Sequence, residues 1–286
     1  MEAATANLSR REQRREARRR EDRRRAIVSL VSTVVVLGTL AAVVVTSPGW
    51  ESVKETFFSW SDFRNSFPDV LRGFWLDVKI FVVVEAVVLV TGLLIAVIRT
   101  SKGAAFFPFR AAAVVYVDVL RGVPVVLAVY LIGFGVPALG LTGLPTDVVV
   151  LGGIALGLCY SAYVAEVYRA GIESVSPNQR AAGLSLGLSE GQTLRYVVLP
   201  QAVRRVIPPL LNDFISLQKD VALISILGPL EAFREAQVYS AANFNYTPLI
   251  AAALLYLCVT IPLTRVFDHL QSRERKRHGT VVAGVR

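Results

Sequence analysis

The chain has 286 residues, of which 53% are hydrophobic and 19% charged, against roughly 25% charged residues in soluble domains. Its mean hydropathy of +0.51 excludes an ordinary soluble enzyme and fits a polytopic membrane protein. The net charge of +9 is concentrated at the ends, with ten arginines in the first 25 residues and a second cluster at Arg273 to Arg277. That placement points to topology and anionic lipid rather than to nucleic acid.

Residues 1–25 form a basic tail with almost nothing apolar to bury, and their composition predicts disorder or loose surface contact. The apolar run 26–46 is too long for a secretory signal and is followed by Ser47, Pro48 and Gly49, so it reads as an uncleaved first spanning helix (26–47). A span requires about 20 predominantly apolar residues. Five further segments meet that length: 74–98, 108–134, 147–168, 207–228 and 248–268. The expected fold is therefore all-α and integral to the membrane, with six transmembrane helices.

Positive charge alternates along the connections. Lys102 lies between Arg99 and Arg110, and the 169–205 loop is basic. Residues 136–147 lack Lys and Arg, and 229–248 contain Arg234 alone. The positive-inside rule then puts both termini and the 99–110 and 169–205 loops in the cytoplasm. Segment 48–73, with its aromatic run Trp60 to Trp75, reads as an extracytoplasmic interfacial stretch, and 271–286 as a second basic tail.

No catalytic or metal-binding constellation emerges. Cys159 and Cys258 sit in apolar runs without Cys or His at ligand spacing, and His269 and His278 fall near or in the charged C-terminal tail. None of the lysines stands in a phosphate-binding G-x-x-x-x-G-K-[ST] loop, so the chain handles no ATP of its own and carries no cofactor.

Within the core 74–270, the cytoplasmic loop 171–200 carries the sharpest local chemistry. Ser176 precedes Pro177 at a first helical position, with Gln179 able to reach back to the cap. Ser189-Glu190-Gly191-Gln192 is a second capping box. The first helix should stop at Gly187 and the second at Pro200. Ionisable residues in the spans are site candidates by default. Glu166, Asp213, Lys219 and Asp220, with Asp118 and Arg121, can line a path for a zwitterion or make ion pairs that hold helices together. Asp77 and Lys79 lie near a span end, where snorkelling suffices, while Glu85 lies mid-span.

The order Ala181-Ala182-Gly183, Gly187, Val197-x-Leu199-Pro200 resembles the EAA loop of ABC importer permeases. Ala181 stands where that motif has its acidic residue, which leaves contact to shape and to neighbours such as Arg180 and Glu190. Further motifs, Gly92 to Arg99, Leu120 to Pro124, Ala162 to Ile172 and Phe214 to Leu223, are similar to those of the polar amino acid uptake family. The resemblance implies a permease subunit of an amino acid importer in the bacterial cytoplasmic membrane. It further implies a cytoplasmic ABC ATPase dimer that binds the ATP, an extracytoplasmic substrate-binding protein, a second permease copy or paralogue, and no nucleic acid partner. The coupling residues would be Arg180, Ala181, Ala182, Gly183, Gly187, Glu190, Val197, Leu199 and Pro200. An ion-driven transporter or channel acting without an ATPase is the alternative, and it would require broken helices repeated in two halves.

Overall fold

A computed structural model describes residues 2–101 and 103–283, in two compact units covering 1–58 and 59–286. The first unit comprises α1 (Glu2–Val45) and α2 (Trp50–Phe57). The apolar stretch of α1 has its side chains exposed on every face, as a membrane-spanning helix without a covering protein shell should. The backbone of the arginine-rich tail is helical, where its composition predicts disorder. Glu21 and Arg25 form a 2.6 Å ion pair, and such i,i+4 pairs support a charged helix. Lys102 and residues 284–286 lie outside the described residues, as do the side chains of the C-terminal tail from 273, His278 included.

The second unit contains α3 (Trp60–Thr100), α4 (Phe107–Gly122), α5 (Val125–Ala138), α6 (Val148–Glu173), α7 (Pro177–Ser185), α8 (Glu190–Thr193), α9 (Leu199–Asp220), α10 (Ala232–Asn243) and α11 (Thr247–Ala283). There are no strands among the described residues. Three expectations are corrected. First, the interfacial stretch around 60–73 is no separate segment. Ser59 caps α3 by accepting from the Asp62 amide, and the helix runs on through Pro68 into the second span. At 1.5 Å per residue α3 is about 60 Å long, twice the hydrocarbon core.

Second, the third span is broken into α4 and α5, which meet at 105°. The residue before a proline is driven out of helical geometry, and Val123, preceding Pro124, adopts φ −93° and ψ 132°. Third, segment 207–228 is not one apolar helix. It is the end of α9 followed by the 3₁₀ turn Val221–Leu227, which Gly228 closes at φ 102°. α9 carries Pro208 and Pro209 within it and mixes charges with its apolar residues. Among the described residues, four helices are long and apolar enough to cross a membrane, or five if α4 and α5 count as one span.

α6 is the axis of this unit, packing on α3, α4, α5, α9 and the 3₁₀ turn. In lipid no hydrophobic force separates helix–helix from helix–lipid contact, so close approach through small residues must do the work. A Cβ on Gly92 of α3 would come within 2.7 Å of Val164, and one on Gly152 within 2.8 Å of Ile224. Val84, Val88, Leu156, Leu217 and Ile224 fill the resulting core. α10 and α11 form a second cluster against α3 through Val70, Phe74, Ala232 and Ala252.

Gly73 marks the tightest seam of that cluster, since a Cβ there would stand 2.5 Å from the Glu231 carbonyl carbon and 2.6 Å from the Ala232 nitrogen. Both are backbone atoms and cannot swing aside. We expect Gly73→Ala to cost about 1–3 kcal/mol of stability, as overpacking does, measurable as a lowered midpoint in thermal unfolding of the detergent-purified protein. A midpoint equal to wild type would show that α3 and α10 can part freely.

Candidate functional site: a charged cavity and a helical hairpin

Glu166 lies toward the C-terminal end of α6 and is held by arginines from three helices. Arg99 of α3 donates to it at 2.7 Å, Arg169 bonds it through two nitrogens, and Arg121 of α4 lies 3.9 Å away. Arg169 also donates to Glu173 at 2.5 Å. The side chain of Arg99 is only 10% exposed, against 42% for Arg121 and 30% for Arg169, so the Arg99–Glu166 contact is the dehydrated part of the cluster. Glu166 is accordingly an ion-pairing anchor and not a free carboxylate. Arg99, its nearest cross-helix partner, closes the Gly92 to Arg99 motif and borders a basic loop, and neither reading places it against Glu166.

Beside this cluster opens a cavity of about 360 Å³ between α4, α6 and α9, lined among others by Arg121, Tyr163, Glu166, Arg205, Pro209 and Asp213. Arg121 sits 6.0 Å over the Tyr163 ring. Asp213 feels the charge of Arg121 without forming an ion pair with it, and its Oδ2 atom is buried without a hydrogen-bond partner. Arg205 donates to the Ser174 carbonyl. The cavity thus presents cations and an anion that are not consumed by each other. Glu85, buried on α3, also feels the Asp213 charge.

The other path candidates separate from this place. Asp220 accepts a 2.8 Å hydrogen bond from the Tyr160 hydroxyl, while Lys219 and Asp118 are exposed and outside the cavity. Asp77 does not snorkel. It is buried in the bundle, where it accepts from the Tyr256 hydroxyl at 2.8 Å. Lys79 is exposed, 5.9 Å from the Trp75 ring.

The loop folds as two short helices about a glycine corner. Ser176 caps α7 by accepting from the Asn178 amide, but Gln179 does not reach back to it and instead accepts from Gln201. Gly187 adopts φ 82°, with its N–H on the Leu184 carbonyl and that of Leu188 on Gly183. This pair of bonds is the Schellman arrangement. Ser189 and Gln192 complete the reciprocal capping box. Pro200 does not end the second helix. A π turn, Leu194–Val198, joins α8 to α9 and leaves room for the proline ring at the start of α9.

The hairpin's own packing uses Gly183, which is buried against Thr193, while Val197 is half-buried. Ala181, Ala182, Gly187, Leu199 and Pro200 are exposed, and so are Leu186, Leu194 and Tyr196, which the sequence reading did not single out as a surface. Arg180 and Glu190 are exposed and paired with each other at 3.0 Å across the corner. The outcome is a rigid two-helix knob with an uncovered apolar surface.

Residues 103–276 match the family of binding-protein-dependent transport system inner membrane components. The chain is 34% identical over 198 residues to the arginine transport system permease protein ArtQ of Bacillus subtilis, covering 69% of this chain and 88% of ArtQ. It is 35% identical over 217 residues to the glutamine transport system permease protein GlnP of Escherichia coli, covering 76% and 97%. Its fold matches the crystal structure of an amino acid ABC transporter with histidines at a TM-score of 0.68 and 30% identity, over 75% of this chain and 98% of that one. The MetNI methionine ABC transporter shares the fold at a TM-score of 0.56 and 18% identity, over 71% and 95%.

The arginine cluster makes a prediction independent of those likenesses. Removing one partner of a buried ion pair leaves the other charge uncompensated, at about 3–5 kcal/mol. Glu166→Gln should therefore lower thermal stability strongly, and Arg99→Gln combined with it should recover part of the loss. Additive losses in the double-mutant cycle would show that the pair is not coupled.

Proposed function

The chain belongs to the family of binding-protein-dependent transport system inner membrane components, and from that membership we propose that it forms half of the translocation pathway of a polar amino acid importer. It is a permease subunit of an ABC-type transporter and not an enzyme, since ATP hydrolysis in this family belongs to a separate subunit. The observation that carries the substrate class is the cavity holding Arg121 and Asp213 unpaired with each other. A zwitterion brings a carboxylate and an ammonium group, and opposite charges on facing helices can replace the water that each must leave. The substrates named for the relatives, arginine and glutamine, belong to the same chemical class.

In this reading the chain crosses the bacterial cytoplasmic membrane six times, with α9 and its 3₁₀ extension as one crossing. The basic tails and the loops around 99–110 and 169–205 lie in the cytoplasm. The knob of α7 and α8, within 176–200, meets a cytoplasmic ATPase dimer, where ATP is bound. Its exposed Leu186, Leu194 and Tyr196 supply apolar contact, in place of the acidic residue that Ala181 lacks. A second permease, identical or paralogous, completes the pathway, and an extracytoplasmic binding protein delivers the substrate. Closure of the ATPase dimer pushes on both knobs, and the helices rock between outward and inward openings. An ion-driven carrier acting without an ATPase is not favoured, because homologues and structural neighbours are ABC permease subunits.

Two outcomes test this reading in proteoliposomes containing the assembled transporter and its binding protein, with a panel of labelled amino acids. Proline fixes φ near −65° and has no N–H, whereas Gly187 sits at φ 82° and donates to Leu184. Gly187→Pro should abolish ATP-dependent uptake while leaving membrane insertion intact, and wild-type transport would refute the coupling role. Loss of a charge-assisted contact costs about 1.5–3 kcal/mol, so Asp213→Asn should reduce uptake roughly 10- to 100-fold. Unchanged uptake of every labelled amino acid would remove Asp213 from the path.

A further inference from the structure

Far from the charged cavity, a second pair of ionisable groups is buried. Asp77 of α3 is 3% exposed and Glu231, in the connection leading to α10, is 0% exposed. Asp77 and Arg99 are 22 residues apart on α3, which is about 33 Å along the helix, so this pair and the Glu166 cluster lie one bilayer core apart. The seam at Gly73 draws the Glu231 backbone onto α3. Phe74 and Tyr256, edge to face at 5.3 Å, and Val70, Ala232 and Ala252 wall the site with apolar groups.

The donors around the pair can be counted. Glu231 accepts from the Phe233 and Arg234 amides, both at 2.7 Å, as the cap of α10. Asp77 Oδ2 accepts from Tyr256 of α11 at 2.8 Å and from the Ala232 amide at 3.4 Å. Asp77 Oδ1 is buried and accepts nothing. No Lys, Arg or His forms an ion pair with either carboxyl among the described residues. Two adjoining carboxylates with four neutral donors and no cation cannot both stay ionised in an apolar pocket. One more donor is missing, and it belongs on Asp77 Oδ1.

We propose that Asp77 and Glu231 form a proton-binding site in which a single shared proton closes the hydrogen-bond set and clamps α3 to α10 and α11. The proton belongs to the pair, not to either residue. It converts a repulsive contact into an O–H···O bond, satisfies Oδ1, and leaves one negative charge for the Tyr256 hydroxyl and the amides to hold. α3, α10 and α11 meet at this site as well as in the apolar cluster around Phe74, so its protonation adds to the packing that fixes that end of the bundle.

Burial and the neighbouring Asp77 push Glu231, which lies outside the spanning segments, up to about 8. The folded protein thus keeps a proton that the unfolded chain has released between the ordinary carboxylate range and about pH 8. Its stability falls as pH climbs through that window and levels off above it.

The assembled transporter in nanodiscs provides the test, with thermal unfolding followed from pH 5 to 9 in wild type, Asp77→Asn and Glu231→Gln. Wild type should lose about 5 °C across the window. Asp77→Asn should remove that dependence, because the carboxamide it introduces supplies the missing donor at every pH, and Glu231→Gln should also flatten the profile. Infrared spectra in heavy water at neutral pH should show a protonated carboxylic acid carbonyl band in wild type, with the same intensity lost in both variants. Parallel pH profiles in all three proteins, or an unchanged carbonyl band in both variants, would overturn the proposal. So would a wild-type midpoint that rises with sodium but not with choline at equal ionic strength, since a metal cation would then hold the pair.

Discussion

The charge cluster on Glu166 is the constraint on which the transport half of the fold depends. Helices in lipid gain little from burying apolar surface against one another, so position must come from close packing and from polar contacts with few alternatives. α6 meets both needs. Its small residues let α3, α4 and α9 approach, and Glu166 then becomes the shared counter-ion of Arg99, Arg121 and Arg169. Once those helices converge on one carboxylate, the cavity beside it is fixed in size and sign, and Arg121 and Asp213 face it from different helices.

Local chemistry was legible in the sequence where the physics was local. The capping box at Ser189 and the left-handed corner at Gly187 both depend on neighbours within a few residues, and each is present. Pro200 reads as the end of the second loop helix and is not, and Pro68 lies within α3. A π turn absorbs the first, and α3 continues through the second. Proline forbids a bond and a contact at one position; it does not forbid the chain from finding a wider turn.

The fate of each charged residue was not legible, because it is set by partners remote in sequence. Glu166 and Arg99 are 67 positions apart, and Asp77 and Tyr256 are 179 apart. Spacing along a helix groups Asp118 with Arg121, yet Arg121 turns to Glu166 and Asp118 is exposed. Composition ranks Asp77 with Lys79 as residues that reach for the interface. A glycine seam instead draws a backbone over Asp77 and seals it. The family resemblance identified the loop through its glycine and proline positions, but not that Gly183 serves the hairpin's interior.

α3 carries both kinds of charge device on one continuous helix. Near one end Arg99 is held by an opposite charge, a contact strengthened by dehydration and broken only at the cost of exposing two ions. Toward the other, Asp77 faces a like charge, and beyond the donors Tyr256 and Ala232 its contact with Glu231 turns attractive only when a proton is shared. The two ends of this helix of about 60 Å are thus held by contacts of opposite kind. The end tied by ion pairs resists separation wherever the Glu166 carboxylate is ionised, whereas the end tied by a carboxyl pair weakens when its proton leaves. The asymmetry follows from the charges themselves, and it makes the carboxyl end of α3 the end that gives way first.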